Sequence, residues 1–372
     1  MLIFKRCNYS RHFPRSVVVL VLSLCATGTL LGQEAAQPQQ PAGGYRELSV
    51  NSSKRLLLNK IKPLLREGDF GEKEEALFDD YFYRCAFPEW SLVAKRADLV
   101  NLRHRHRILL KNAKNPPAHK YLNKITLNFM SILASTEKGN FHPASRVNAM
   151  LLIGELNDVE DSKAPRPMTA ALPKLIATVN DPKQLDAVKV AAIVGIIRHG
   201  QSKAITTPGA RSAVGRPMLN LVQSKTADAW MRGQAAEVLG MLGSAAVAKD
   251  LAAMAGDSSL LFSARCTAAR ALGRLNYRAT RGVKADELAA ALRQLLVDAV
   301  NAETRAVSRR RLKARVMAVS TGLKRVATIV PSPPAVASLA TAVAAILGDV
   351  NNQDLTDSEM IMKIKEEADK LK

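Results

Sequence analysis

An eleven-residue motif that occurs twice constrains the fold of this chain more than any other feature. Residues 232–242 read RGQAAEVLGML and residues 265–275 read RCTAARALGRL. Both copies have arginine first, alanine at offsets 3 and 4, leucine at offsets 7 and 10, and glycine at offset 8. Offsets 0, 3, 4 and 7 lie on one face of an α-helix. Internal repetition of this kind indicates an array of similar helical units.

Three further segments match the motif less closely. Residues 146–156, RVNAMLLIGEL, keep the alanine at offset 3 and the glycine at offset 8. One more copy has isoleucine where glycine is expected, and another has its glycine one place early. The five starting positions, separated by 43, 43, 33 and 50 residues, are Arg146, Lys189, Arg232, Arg265 and Arg315. Glycine inside a helix costs about 1 kcal/mol relative to alanine. We therefore interpret Gly154, Gly240 and Gly273 as positions where two helices approach closely.

Each copy is followed by a second apolar segment, which suggests a unit of two helices joined by turns. These segments cover residues 168–179, 218–223, 247–255, 287–300 and 336–347. Pro173 and Pro217 are predicted near the starts of their helices, where proline is tolerated. The sequence thus predicts an all-α fold, an α-solenoid of about five helix pairs over residues 136–348, with no β-sheet.

The pattern R-x-x-A-A-x-x-L-G-x-L resembles HEAT repeats, in particular the short HEAT-like repeats of phycobilisome lyases, over roughly residues 120–348. In such repeats an aspartate in the preceding turn commonly forms a stabilising ladder with the basic residue of the motif. The resemblance implies this role for Asp181 and Asp257, which precede Lys189 and Arg265 by eight residues. It also implies a binding surface, but no particular chemistry, because such arrays serve many functions.

The regions that flank the repeats are also predicted to be helical. Residues 45–135 suggest four helices, with aromatic residues concentrated between Phe78 and Trp90. We interpret this region as a cap that covers the open face of the first repeat, with an aromatic recognition site as the alternative. Residues 349–372 predict a closing amphipathic helix, because Thr356 and Glu359 have the spacing of a capping box.

The first 32 residues have the order of a secretory signal, in which basic residues precede an uncharged run at 16–31. That run is shorter than the roughly 20 residues of a membrane-spanning helix, and small residues place a cleavage site near 32–36. Residues 33–44, QEAAQPQQPAGG, predict a flexible linker. We expect Sec-type export to the periplasm or the exterior, with no transmembrane span in the mature chain. The alternative is an uncleaved signal that anchors the chain facing outside.

The net charge of +21 is concentrated in two segments. Residues 95–124 contain nine basic residues and one acidic residue, and residues 305–325 contain eight basic residues and no acidic one. Like charges repel, so such clusters favour an anionic partner, and the alternative is a solvated basic face. The candidate binding residues are Arg96, Arg103, Arg105, Arg107, Lys111 and Lys114 in the first cluster, and Arg309, Arg310, Arg311, Lys313 and Arg315 in the second. In the first cluster we expect a helical stripe opposite the leucines.

Motifs that carry catalysis are missing from the sequence: there is no HExxH, CxxC, GxSxG or GxGxxG. Residues 195–202, GIIRHGQS, approach a P-loop but have Gln201 in place of the lysine that binds phosphate. His106 falls on the apolar face of its predicted helix, which indicates a core histidine. We predict no catalytic residue, cofactor or metal.

These observations predict an exported HEAT-like scaffold that binds a protein or a polyanionic partner. The alternative is a nucleic-acid-binding protein resembling the HEAT-like DNA alkyl-glycosylases. The signal segment counts against it, because DNA does not lie on that side of the membrane. A lyase of the type that shares the short HEAT-like repeats is a further alternative, for which the sequence offers no catalytic residue.

Overall fold

The computed structural model describes residues 44–161, 163–279, 282–303, 307–329 and 333–371. The predicted signal segment and nearly all of the predicted linker lie outside the described residues. Over the described ranges the chain forms fifteen α-helices, a few single turns of other helix types and one pair of short strands, so the predicted all-α fold class is confirmed. The chain divides into two compact units, Met1–Arg198 and His199–Lys372.

The first unit contains short helical turns among its longer helices. The turns are Ser52–Leu57, Phe82–Ala86, Pro88–Ser91 and Val93–Asp98. The helices are α1 (Leu58–Leu64), α2 (Glu72–Tyr81), α3 (Leu99–Asn112), α4 (Pro116–Ala134), α5 (Pro143–Glu155), α6 (Ala171–Asn180) and α7 (Asp186–Gln201), and the division between the two units falls within α7.

The first unit also contains the two strands, β1 (Asn157–Val159) and β2 (Arg166–Pro167), which pair antiparallel. The prediction that the chain contains no sheet is therefore wrong. The connection between α5 and α6 is long, and its two arms satisfy their backbone groups by pairing with each other. The backbone N–H of Met168 donates to the carbonyl of Leu156 at 2.9 Å, at the foot of this hairpin.

The second unit contains the remaining helices. They are α8 (Pro208–Gln223), α9 (Ala229–Leu242), α10 (Ala248–Gly256), α11 (Phe262–Leu272), α12 (Ala285–Glu303), α13 (Arg309–Val326), α14 (Pro334–Asn351) and α15 (Asp357–Asp369). Helix α8 starts ten residues before the predicted segment, because the side chain of Thr207 caps it and Pro208 occupies its first position. Pro217 lies inside this helix, so its predicted place near a helix start is wrong.

Within the second unit the helices pack in two series. Helices α9, α11 and α13, which carry the motif copies, contact one another in that order, and α8, α10, α12 and α14 do the same. Gly240 faces the next motif helix, and a Cβ there would lie 2.9 Å from the Cα of Ala271. A Cβ on Gly273 would lie 2.3 Å from the carbonyl oxygen of Thr321. In both pairs the glycine at offset 8 faces offset 6 of the following copy.

The first unit shows the same register. A Cβ on Gly154 would lie 2.8 Å from the Cα of Gly195, which is offset 6 of the copy that starts at Lys189. That copy has Ile197 at offset 8, and it approaches the preceding motif helix closely through Gly195. The motif glycines are therefore positions where side chains would separate neighbouring helices.

Two motif arginines of the second unit, Arg232 and Arg265, make the same kind of hydrogen bond. The Nε of Arg232 donates to the carbonyl of Val222 at 3.2 Å, and the Nε of Arg265 donates to the carbonyl of Ala255 at 2.9 Å. Both carbonyls lie in the last turn of the preceding helix, where no partner within that helix is available. The repeated arginine thus closes the end of the helix before it.

The aspartate ladder implied by the resemblance is replaced by other contacts. Asp257 accepts hydrogen bonds from the backbone N–H and the hydroxyl of Ser259, at 3.0 and 2.6 Å, and so closes its own turn. Arg265, which is only 2% exposed, pairs instead with Asp298 of α12 at 2.6 Å. The pairing partner lies 33 residues away, beyond the turn that the repeat pattern covers.

Asp181, which the resemblance would pair with Lys189, also has another partner. Asp181 accepts a hydrogen bond from the hydroxyl of Thr136 at 2.7 Å. Arg146 is buried and donates to the side-chain carbonyl of Gln184 at 2.5 Å. Gln184 in turn donates to the carbonyl of Ala134, at the end of α4, at 2.9 Å. Here a glutamine relays the contact between the arginine and the end of the preceding helix.

The aromatic residues of the N-terminal region form a core. Phe78, Phe82, Phe87 and Trp90 are buried, and the ring of Phe87 stacks on Phe129 of α4 with centroids 4.9 Å apart. These rings join α2 and the segment that follows it to α4. Most of the aromatic cluster is thus engaged in packing within the first unit.

One helix among the described residues, α14, is long and apolar enough to cross a membrane by length and composition. In the structure it packs against α12, α13 and α15, and Leu339, Val343 and Ile346 on its inner face are buried. Of this helix 33% is buried, and length and composition alone do not distinguish a helix packed on one face from a membrane span. The absence of a span from the mature chain stays a prediction.

Candidate functional site

The first basic cluster, Arg96 to Lys114, does not form a continuous stripe on the surface. Arg103 is only 7% exposed, donates to the side chain of Asn148 at 2.9 Å and lies 3.6 Å from a carboxylate oxygen of Glu155. Helix α5 packs on this face of α3 and supplies both partners. The predicted place of Arg103 on an exposed stripe is therefore wrong, and this residue is part of the helix interface.

Arg107 is occupied by an internal carboxylate. Its two terminal nitrogens donate to the two oxygens of Glu160 at 2.8 and 3.0 Å. Asn157 also donates to Glu160, at 2.8 Å. Burial alone would raise the pKa of Glu160, but the imidazole of His119 at 4.0 Å and the hydrogen bonds from Arg107 and Asn157 outweigh it and hold that pKa at about 2. Glu160 thus stays ionised and ties the β1–β2 hairpin to α3.

Arg198 completes this buried network from α7. It donates to the side-chain carbonyl of Asn157 and, at 3.0 Å, to the backbone carbonyl of Gly154. Burial lowers the pKa of Arg198 to about 10. Asn123 of α4 donates to the backbone carbonyl of Asn157 at 2.9 Å. The arginine of the segment that superficially approached a P-loop is therefore a structural anchor for the hairpin.

The other members of the first cluster are more accessible. The guanidinium of Arg96 lies 5.6 Å from the centroid of the Tyr45 ring. Arg105 is 61% exposed and pairs with Asp98 at 2.9 Å. Lys111 and Lys114 are exposed near the C-terminal end of α3. Exposed charge in this cluster is thus carried mainly by Arg105 and the two lysines.

The second basic cluster, Arg309 to Arg315, lies at the start of α13, as the sequence indicated. Arg309 donates to the carboxylate of Asp357 at 2.7 Å and to the carbonyl of Asn352 at 2.6 Å, and its third contact is the carbonyl of Leu355. It therefore holds the turn before α15. Arg310 and Lys313 are exposed.

Glu303 positions the other two arginines, and the sequence analysis missed it because it precedes the segment that was counted as free of acids. Its side chain is fully buried. It accepts hydrogen bonds from the Nε of Arg311 at 2.6 Å and from an Nη of Arg315 at 2.8 Å. The backbone N–H of Ser308 donates to it at 2.9 Å. Two arginines thus share one carboxylate, which leaves a net positive charge.

Arg315 is held by an aromatic ring as well. Its guanidinium carbon lies 3.8 Å from the centroid of Phe262, at the start of α11. Stacking on a ring and pairing with Glu303 together fix the plane of the guanidinium. In the sequence, Phe262 is an aromatic residue three positions before the motif residue Arg265. Its partner Arg315 lies 53 residues further along, so the local pattern does not pair the two.

These side chains border a cavity of about 370 Å³ in the second unit. It lies among the early turns of α9, α11 and α13, and Cys266 contributes a buried thiol whose pKa is raised by burial. The N-terminal turns of these three helices, which carry the positive ends of the helix dipoles, contribute lining residues. Among the described residues that line it, none is acidic, and the polar and aromatic side chains include Trp230, Gln234, Phe262, Thr267, Arg270, Arg311 and Arg315. Chemically, the cavity suits an anionic group next to an apolar one.

Comparison with known proteins gave no match from which a function could be inferred. No protein-family model matches the chain, and a search of curated proteins found no significant match. Over the described ranges, no three His, Cys, Asp or Glu side chains are grouped so that they could hold a metal ion.

Proposed function

We propose that this protein is an exported, HEAT-like α-solenoid that acts as a non-catalytic scaffold and binds an acidic segment of a protein partner. The observation that carries the proposal is the cavity bordered by Arg270, Arg311 and Arg315 beside Trp230 and Phe262. The solenoid is supported by the two series of helices in the second unit and by the register of the motif glycines. Export is supported by the order of basic and apolar residues before residue 32.

The chemistry of the cavity favours a carboxylate-bearing partner. Arginine presents a planar fork that matches a carboxylate, and hydrogen bonds between the two charged groups are among the stronger ones in proteins. Arg315 is already immobilised by Phe262 and Glu303, so binding costs it little rotamer entropy. Tryptophan, phenylalanine and arginine are also the residue types enriched at protein–protein interfaces.

A nucleic-acid partner is less well supported. Duplex binding relies on many lysine and arginine contacts along the phosphate backbone. In the structure Arg103, Arg107 and Arg309 are engaged by internal partners, which removes them from such a row. The basic residues that remain are better suited to a local anionic group than to a continuous polyanion.

The binding proposal is tested with a hexaglutamate peptide and the fluorescence of Trp230. The chain has two tryptophans, so the variant Trp90→Phe makes Trp230 the sole reporter. In that background, Arg270→Gln and Arg315→Gln should each weaken binding about five- to tenfold, because each removes a charge-assisted hydrogen bond of roughly 1–1.5 kcal/mol net.

The matched control is Arg310→Gln with Lys313→Gln, which removes two charges from exposed positions on the same helix outside the cavity. At 0.15 M salt the Debye length is about 8 Å, so the control should change affinity by less than about twofold. If the control weakened binding as much as the cavity variants Arg270→Gln and Arg315→Gln do, the effect would be one of diffuse charge and would contradict the cavity as the binding site. Failure of wild type to bind the peptide would do the same.

Export and partner choice need separate measurements. A C-terminally tagged chain should fractionate with the periplasm or the envelope, and recovery from the cytoplasm would contradict export. Pull-down from the envelope fraction should capture an acidic protein with wild type and lose it with Arg270→Gln and Arg315→Gln combined. Capture of nucleic acid, with loss after nuclease treatment, would favour the alternative function.

A further inference from the structure

The first unit contains a second cavity, of about 560 Å³, that has a different character. It lies between α1, the segment Phe82–Trp90 and α3. Its floor is apolar: Leu58, Ala86 and Leu109 are partly accessible there, and Phe82, Phe87 and Trp90 also line it but are at most 2% exposed. Pockets of this volume accommodate small organic ligands, and an apolar floor supplies most of their binding energy.

The floor carries no ionised group. His106 also lines the cavity, but it is buried and in hydrogen-bond contact with the hydroxyl of Thr126 at 2.8 Å. Burial, and to a lesser extent Arg107, lower the pKa of His106 to about 3, so the ring is neutral at physiological pH. The thiol of Cys85 is buried, and it behaves as a small apolar wall.

The rim of this cavity is basic. Four cationic side chains line it, Arg55, Lys62, Lys95 and Arg105, and the one acidic residue among the described lining residues is Glu89. Glu89 pairs with Arg55 at 2.7 Å, so its charge is already compensated. Arg105 is 61% exposed and pairs with Asp98 at 2.9 Å, so Lys62 and Lys95 supply the uncompensated positive charge of the rim around an uncharged floor. Two of these cations, Lys95 and Arg105, belong to the basic segment that sequence analysis singled out.

We propose that this cavity binds an anionic amphiphile, namely a molecule with one alkyl chain and one carboxylate head, of the fatty-acid class. The alkyl chain lies along Leu58, Ala86 and Leu109 in the accessible part of the floor, and the carboxylate lies at the rim between Lys62 and Arg105. The positive charge of the rim favours an anionic head group, and the absence of ionised groups from the described floor favours an uncharged alkyl chain. This site is independent of the peptide site proposed above, because it lies in the other compact unit.

The experiment uses the full chain with Trp230→Phe, so that Trp90 in the floor is the sole tryptophan. Dodecanoate, kept below its micelle concentration, is titrated against Trp90 emission and, in parallel, by calorimetry. Binding should be saturable, and each added methylene in a series of shorter carboxylates should tighten it about fourfold until the cavity is full. Dodecanol should bind at least about threefold more weakly, because it lacks the charge that the rim recognises.

The rim is tested with Lys62→Gln and Arg105→Gln combined, which should weaken dodecanoate binding about five- to tenfold and leave dodecanol unchanged. The matched control is Lys60→Gln and Arg66→Gln combined. Both are exposed near the same helix and lie outside the cavity lining, so they should change affinity by less than about twofold.

The floor is tested with Ala86→Leu, which places extra volume in the cavity without changing charge and should abolish binding. If this variant fails to fold, the rim variants still decide. Equal binding of dodecanol and dodecanoate, or equal effects of the rim and control pairs, would overturn the proposal. So would displacement of dodecanoate by hexaglutamate at Trp90, which would make the cavity a peptide site. Trp90 and Trp230 report on different cavities, so failure of one proposal is distinguishable from failure of the other.

Discussion

Replacing Gly273 by alanine should destabilise the second unit, because the new methyl group has no room. A Cβ at this position would lie 2.3 Å from the carbonyl oxygen of Thr321 and 2.8 Å from its carbonyl carbon. Carbon–oxygen contacts in proteins are normally about 3.3 Å or longer. The neighbouring atoms are backbone and cannot rotate away, so α13 must move by about 1 Å relative to α11.

The cost of that movement is typical of an overpacked core. Insertion of one methyl group into a well-packed interface costs about 1–3 kcal/mol, and a clash with backbone belongs to the upper half of that range. The same interface is tight at a second point, since a Cβ on Gly322 would lie 2.6 Å from the carbonyl oxygen of Ala269. We expect a loss of about 2–3 kcal/mol, or a melting temperature lower by roughly 5–10 °C for a unit of this size.

The assay is urea unfolding followed by Trp230 emission in the Trp90→Phe background. The matched control is Gly348→Ala, because no described atom of another element would lie within 4 Å of its Cβ. Gly348 lies within α14, so alanine should stabilise that helix by about 0.5–1 kcal/mol. If Gly273→Ala unfolds at the same urea concentration as its parent, α11 and α13 do not approach closely, and the register assigned to the motif is wrong.

Further outcomes can be checked independently. Arg265→Gln should cost about 2–3 kcal/mol in thermal unfolding, since it breaks a buried ion pair whose partner retains some contact with water, and an unchanged melting temperature would contradict the role of the motif arginine. Acid should lower the free energy of unfolding of the first unit below about pH 6.5. In the unfolded chain His106 becomes protonated there, whereas in the folded chain its pKa is about 3 and it stays neutral. The carboxylate of Glu160, with a lowered pKa of about 2, adds stability that is lost as the pH falls from about 4.5 to about 2. Urea unfolding followed by Trp90 emission measures both, and a flat profile from pH 7 to pH 3 would contradict them. Replacing Val18 and Leu20 by arginine should retain the chain inside the cell, because charge opposes insertion of the apolar segment, and fractionation of the tagged variant would refute this if it were still exported.

Local patterns predicted the elements that depend on neighbours a few residues apart. Thr356 and Glu359 form the expected capping box, with hydrogen bonds of 3.3 and 2.8 Å between side chain and backbone. His106 occupies the buried face expected from its position. The spacing of the motif also located the helices that carry Arg232, Arg265 and Arg315. In each case one helical turn contains the information, because its hydrogen bonds and its apolar face recur every three to four residues.

The distribution of exposed charge was not predictable in this way. The two segments rich in arginine looked equivalent along the chain, yet Arg103 is buried and Arg105 is exposed on the same helix. The deciding partners, Glu160 for Arg107 and Glu303 for Arg315, lie outside the basic segments or on a different element. A count of local charge therefore overestimates the charge available to a ligand.

Composition and motif spacing were enough to establish that this chain is helical, where its repeated helices lie and where an apolar segment follows basic residues at the start. Those properties depend on residues within one or two turns of each other, so a single chain segment carries them. Tertiary packing decided which arginines remain at the surface, how the β1–β2 hairpin is anchored and where the two cavities form. Many of the contacts that decide them join groups 30 to 55 residues apart, whose proximity arises only when helices have packed against one another.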